Sequence, residues 1–267
     1  MMATAVWGYF KINPEQSTNT IEKLVLTGSS TVAPLAAEMG KRFELLHPDV
    51  RVDVQTGGSS RGINDARSGL ANIGMASRAL KDNEADLFSF TIALDGISII
   101  INKANPLNSL DKQQIIDIYT GKIVNWQELG GNDVPITVVN KAEGRSTLEL
   151  FLHHFALQNT QVKPHVVIGD NQQGIKTVSG NPGAIGYVSV GAAEYEATHN
   201  VAIKLLPLNC IPASVENVRN RSFPLSRPLN LIMREEPTGI AKTFIEFARS
   251  AQVNDLIEAQ YFVPVAN

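Results

Sequence analysis

Three times along this chain a short apolar run meets a cluster of glycine, serine and threonine, and a helix-like stretch follows. Residues 23–27 (KLVLT) run into the turn 28–31, residues 50–55 (VRVDVQ) into 57–62, and residues 134–140 (VPITVVN) into 144–147. Strand, small-residue turn and helix form the repeating unit of parallel α/β architecture, because parallel neighbours need a crossover and a helix supplies it. Crossovers of this kind are right-handed, and ligands collect at the carboxyl ends of the strands, where these turns lie.

The rest of the pattern agrees with an α/β fold. Leu35, Met39, Phe43 and Leu46 recur at helical spacing and predict a helix over 32–46, stopped by His47-Pro48-Asp49. A helix over 63–68 and a strand over 71–76, ending in Ser77-Arg78, come next. The unbroken apolar run 97–102 (ISIIIN) predicts a strand buried on both faces. Ser109 is expected to cap a helix through Tyr119, closed by Gly121. Further on, a helix is predicted over 148–157, strands over 183–190 and 225–233, and a last helix over 239–250. No repeat and no linker interrupts the chain, so its halves are expected to interlock.

Composition narrows the function classes. Hydrophobic residues make up 43% of the 267 and charged residues 18%, enough for a sizeable core. Lys plus Arg number 23 against 26 Asp plus Glu, so no basic field points to nucleic acid as the main partner. Cys210 is the single cysteine, which excludes an internal disulfide or a CxxC site, and it reads as a small buried hydrophobe. No apolar run reaches the ~18 residues of a membrane-spanning helix. Residues 1–10 are too short and polar-flanked for a secretory signal, and 11–20 read as a polar lead-in. Both a cytoplasmic protein and a processed form of an exported one fit that start.

The first N–H groups of a helix have no internal partner and carry the positive end of its dipole, so small hydroxyl residues there make an anion site. Arg61, Arg78, Lys141 and Arg145 stand in or beside the turns and supply full charges. Ordinary capping is the bland account of any one such turn, whereas three with adjacent basic residues favour convergence on one anion. A competing reading takes Gly58-Ser59-Ser60-Arg61-Gly62 as G-x-S-x-G, with Ser60 as a nucleophile and, for example, His199 and Asp170 as its partners. Only two strands precede that turn, and no HGGG-like oxyanion segment is present. His153 and His154 are adjacent and no HExxH occurs, so metal binding is not expected; Walker A and GxGxxG motifs are absent. Asn125-Trp126 and Tyr187 read as packing residues.

Eight segments, in order, resemble a known family: TGSSTVAPL (27–35), GGSSRGI (57–63), IGMASR (73–78), DGISIIIN (95–102), IYTGKIVNWQELGG (118–131), KAEGRSTLELF (141–151), GAIGYVS (183–189) and PLSRPL (224–229). The chain is similar to the phosphate-binding proteins of phosphate-specific ABC transporters. The resemblance implies an α/β type II periplasmic binding protein, two α/β lobes joined by two crossing strands with a ligand cleft between them. One lobe would be 21–97 plus 229–267 and the other 98–228, after a flexible lead-in over 1–20. Residues 97–102 would cross outward and 227–233 return.

The resemblance also implies the contacts to inorganic phosphate: Ser29, Ser30 and Thr31 from the first loop, Ser59 with Ser60 beside it from the second, Ser77 and Arg78 from the third, and Lys141, Arg145, Ser146 and Thr147 from the other lobe. It implies a periplasmic, non-enzymatic carrier without cofactor, expected as a monomer, that delivers phosphate to permease subunits. The sequence departs from the family's pattern in two places, the third loop and the fourth. Arg78 stands where many members carry an Asp that accepts a proton from phosphate, and Lys141 and Arg145 stand where an Arg and a Ser are usual. The site is thereby more positive, which keeps sulfate or molybdate as alternative ligands.

Overall fold

A computed structural model describes residues 21–265; the lead-in 1–20, and with it the reading of the N-terminus, lies outside the described residues. β1 (Glu22–Gly28) and β2 (Val50–Thr56) pair in parallel across the crossover helix α1 (Ala33–Leu46). Helix α2 (Ser59–Ser68) crosses back and sets β3 (Ile73–Ala76) on the other edge of β1, also in parallel. α2 lies unusually close to these strands. A Cβ on Gly62 would stand 2.5 Å from Thr27 O and 2.7 Å from Gly28 Cα, and one on Gly74 would stand 2.4 Å from Gly62 O. Only glycine permits this approach, which fixes where the first turn of α2 begins.

The fold turns on β4 (Phe88–Asn102), a strand of 15 residues. From Phe88 to Gly96 it pairs antiparallel with β9 (Ser226–Met233). From Ile97 to Ile101 it pairs antiparallel with β7 (Ala184–Ser189), and its end also pairs with β8 (Ile203–Leu206). β5 (Thr137–Lys141) follows β7 in parallel and β6 (Val166–Ile168) follows β5, giving the order β2-β1-β3-β9-β4-β7-β5-β6. β10 (Val263–Pro264) returns to pair with β4 at Ala93 and Leu94. The remaining helices are α3 (Lys112–Tyr119), α4 (Ser146–Phe155), α5 (Asn171–Ser179), α6 (Val190–Thr198), α7 (Val215–Arg219), α8 (Gly239–Ala248) and α9 (Asn254–Ala259).

Each half of the sheet is covered on both faces. In the β1–β3 half, Leu24, Leu26, Phe43, Phe244 and Phe247 fill one face, and Ile63, Ala66 and Ile232 fill the other. In the β5–β7 half, Trp126, Tyr119, Phe151 and Tyr187 pack with Ile97, Ile99 and Ile101, whereas Ile100 faces Val139, Ile175 and Val188. The run 97–102 is therefore buried on both faces, as its sequence predicts, while its extension back to Phe88 follows from a partner strand far along the chain.

Several boundaries differ from expectation for local reasons. Asp111, not Ser109, caps α3: its carboxylate accepts from Gln114 N at 2.8 Å and the Gln114 side chain accepts from Asp111 N. α2 and α4 start earlier than 63 and 148, which puts Ser59, Ser60, Ser146 and Thr147 inside first turns. α5 and α6 lie where no helix was expected. Cys210 is exposed, not buried: with Asn209 it adopts a left-handed backbone in a two-residue turn bracketed by Leu208 and Ile211, which throws its side chain outward. Among the described residues no helix is long and apolar enough to cross a membrane.

Candidate functional site

The three small-residue turns meet. Gly57 N and Gly58 N each donate to Gly28 O at 2.9 Å, and Ser60 N donates to Gly144 O at 3.3 Å. A Cβ on Gly58, whose φ is +94°, would stand 2.6 Å from Gly144 O, so this contact between the sheet halves requires glycine. Behind the turns a chain of buried hydroxyls forms. Ser29 Oγ donates to Ser77 Oγ at 3.0 Å, Ser77 Oγ lies 3.2 Å from Ser146 Oγ, and Ser146 Oγ donates to Ser59 Oγ. Ser59 Oγ also accepts from Ser77 N at 3.1 Å. These serines come from the turns just after β1 and β3 and from the starts of α2 and α4. Neither α2 nor α4 has a side-chain N-cap, so two dipole ends bear on the same place.

At the centre stands Arg227, the second residue of β9. Its Nη1 donates to Thr147 Oγ1 at 2.9 Å and to Ser77 Oγ at 3.4 Å, and its Nη2 donates to Thr31 Oγ1 at 3.4 Å. Asp95 on β4 holds the guanidinium through Oδ2, at 3.1 Å from Nε and 2.8 Å from Nη2, with both side chains only 1% exposed. The other Asp95 oxygen accepts from Ser189 Oγ at 2.9 Å and Gly191 N at 3.2 Å. This pair escaped the sequence reading. Each member sits just before an apolar run, Asp95 ahead of 97–102 and Arg227 ahead of 228–233, where a charge bound for burial needs an opposite partner, and that is the available signal.

Two further cations border the cluster. Lys141, buried at the end of β5, donates from Nζ to Asp170 O at 2.7 Å and to Asn171 Oδ1 at 3.2 Å. Asn171 in turn donates to Thr31 Oγ1 at 3.3 Å. Burial first, then the charge of Arg227, pull the Lys141 ammonium down to about 7; Asp170 pulls upward, and Arg145 adds a smaller downward push. Arg145, half-buried, runs along the seam: its Cδ lies 3.0 Å from a Cβ built on Gly58 and its Nη2 lies 3.4 Å from one built on Gly169.

Other predicted residues lie elsewhere. The Arg78 guanidinium turns away from the hydroxyls, bidentate with Glu84 at 2.7 and 2.8 Å, and its Nε faces Glu149 at 3.1 Å without hydrogen-bond alignment. Burial works against the Arg78 charge, but Glu84 and Glu149 outweigh it and hold the guanidinium above its ordinary value. Ser60 Oγ donates to Glu149 Oε1 at 3.1 Å, also outside the cluster. Arg61 pairs with Asp65 and donates to Thr56 O. Ser30 lines a neighbouring 670 Å³ cavity with Thr31, Asn171, Tyr195 and Phe262. The hydrolase constellation is not assembled: Asp170 caps α5 by accepting from Gln173 N, and His199 stacks on Tyr195 at the end of α6. Among the described residues no His, Cys, Asp and Glu cluster suits a metal ion. Trp126 and Tyr187 are core residues, as read.

What this geometry offers is a buried cluster of hydroxyl donors, helix ends and cations, suited to a compact oxyanion. Comparisons with known proteins agree. The model of the PBP superfamily domain matches residues 13–252. The phosphate-binding protein PstS of Bacillus subtilis is 26% identical over 249 residues, covering 91% of this chain and 81% of its own length. A crystal structure from Clostridium perfringens, described as a phosphate ABC transporter substrate-binding protein with bound phosphate, is 35% identical with a TM-score of 0.84, covering 92% of this chain and all of that one (100%). An ABC-type phosphate transport receptor from Vibrio cholerae is 29% identical with a TM-score of 0.73, covering 91% of this chain and 100% of its own.

Proposed function

The chain belongs to the PBP superfamily, with the type II periplasmic binding protein fold, and from that premise we propose that it is the phosphate receptor of an ABC transporter. It binds inorganic phosphate between its lobes and delivers it to membrane permease subunits. The observation that carries this reading is the chain of Ser29, Ser77, Ser146 and Ser59 hydroxyls, met by the Arg227 guanidinium at Ser77 and joined through it to Thr31 and Thr147.

Phosphate takes the place of the hydroxyl–hydroxyl contacts. Ser29, Thr31, Ser59 and Ser77 donate from the lobe 21–97 plus 229–267, and Ser146 and Thr147 donate from the lobe 98–228. Arg227 supplies the central charge and a planar donor fork, and Asp95 fixes its orientation. Lys141 and Arg145 add charge from the second lobe. Closure removes water, which strengthens each charged hydrogen bond, and opening at the permease reverses the gain. Ser30, Ser60 and Arg78 border this site without a direct contact to the anion. The protein works as a periplasmic, monomeric carrier and performs no chemistry on its ligand.

Calorimetric titration of anion-stripped protein with phosphate and then sulfate, at two pH values, tests the reading. Tight one-to-one phosphate binding with weak sulfate binding is expected. Tighter sulfate would move the assignment to another oxyanion, and heat from neither would remove the anion site altogether.

A further inference from the structure

Glu149 stands on the fourth residue of α4, one turn beyond the Ser146 and Thr147 hydroxyls. Its carboxylate is met only from the first half of the chain among the described residues. Ser60 Oγ donates to Oε1 at 3.1 Å, while Arg78 Nε at 3.1 Å and Lys81 Nζ at 2.7 Å converge on Oε2. None of these partners belongs to α4 or to the sheet half that carries it. The Arg78 guanidinium and the backbone of Lys81 are held in place independently of Glu149. Glu84 grips the far edge of Arg78 with both carboxylate oxygens and accepts from Lys81 N at 2.8 Å, all within one loop after β3. The structure thus contains a fixed guanidinium, with the exposed Lys81 ammonium beside it, on one lobe and a single carboxylate on the other, in contact only when the lobes are together.

We infer that Glu149 is the clasp of the cleft, a positioning residue that docks α4 onto the Arg78–Lys81 pair and sets how slowly bound anion escapes. The inference rests on the phosphate reading of the neighbouring hydroxyl cluster for its rate, but not for its geometry. With Arg78, Lys81, Glu84 and Glu149 together, the charges sum to zero in the closed form. Opening strands one positive charge on the first lobe and one negative charge on the second. The clasp therefore favours closure whether or not an anion is present, and it acts on the dissociation step because it is made after the anion has entered. Glu149 is 26% exposed, so the attraction is partly screened and its effect is moderate.

The experiment is stopped-flow measurement of phosphate association and release for the wild type, Glu149→Gln and Lys81→Met. In Glu149→Gln release is expected to accelerate about threefold to tenfold with association nearly unchanged, and the gap from wild type to narrow at high salt. The charge exchange Glu149→Lys with Lys81→Glu is expected to recover part of the slow release. A Glu149→Gln protein that melts like wild type and releases phosphate at the wild-type rate would overturn the clasp. Interlobe distance, read by spin labels at exposed Leu70 and Val124 in a Cys210→Ser background without anion, gives a second arm. Should the wild type bind no phosphate, the functional reading fails, and this arm alone decides the clasp: it stands if Glu149→Gln shifts the distances outward and falls if they are unchanged.

Discussion

Arg227 and Asp95 bind each other beside the hydroxyl chain, and removing either leaves a charge in a place that water does not reach. Arg227→Ala is expected to destabilise the fold by about 3–5 kcal/mol, the range for stranding one member of a buried pair, in a urea titration. Arg227→Lys keeps the charge but loses the fork to Thr147, Thr31 and Asp95, so calorimetry should show at least tenfold weaker phosphate binding with a smaller stability loss. Lys141 adds a pH dependence. Its ammonium is pulled down to about 7 in the folded chain, below the value of a free lysine, so the unfolded chain binds the extra proton between those limits. Stability without anion should therefore rise as pH climbs from about 7 towards 10, and Lys141→Met should flatten that slope in denaturation curves. An anion beside Lys141 restores its proton; binding at pH 8 should take up protons, seen as buffer-dependent heat that Lys141→Met reduces. At this scale the sequence was half legible. Ser29, Ser59, Ser77 and Ser146 announced themselves because small hydroxyl residues at strand ends are a local signal. Arg227 did not, because its partner lies 132 residues away, and the Arg78 guanidinium is turned aside by Glu84, six residues further on.

At the scale of elements, the site depends on how closely α2 approaches the sheet. The atoms a Gly62 Cβ would strike, Thr27 O, Gly28 Cα and Met75 O at 2.5 to 2.8 Å, are all backbone and cannot swing aside. Gly62→Ala is expected to cost about 1–3 kcal/mol in thermal or urea unfolding and to weaken anion binding by lifting Ser59 from its neighbours. Wild-type stability in that variant would show that α2 can slide without loss. The strand–turn–helix units could be read from the sequence since each is set by periodicity and turn residues within a short window. The unexpected α5 opens on Asn171-Gln172-Gln173-Gly174, polar residues without a clear apolar stripe, and its start is fixed by the Asp170 cap and by Lys141 reaching it from β5. β4 was seen only in its second half, because residues 88–96 owe their strand state to β9.

For the whole molecule, serines from both sides of the cleft touch, so this is a closed arrangement. X-ray scattering of the phosphate-loaded protein should match it, while the anion-stripped protein should scatter as a larger particle; identical curves would contradict a closing cleft. The sheet order holds one more consequence, for how the molecule comes into being. β9 is nearly the last strand made, yet it lies in the middle, between β3 and β4. Residues 97–206 can organise the second half of the sheet from one continuous stretch, but β1, β2 and β3 have no link to β4 until Ser226–Met233 arrives. Such long-range closure is slow, and it makes the tail of the chain the arbiter of folding. Until Ser226–Met233 is in place, the three-stranded unit of β1, β2 and β3 and the β4–β7 half are two separate pieces, so a single late segment decides when they become one body.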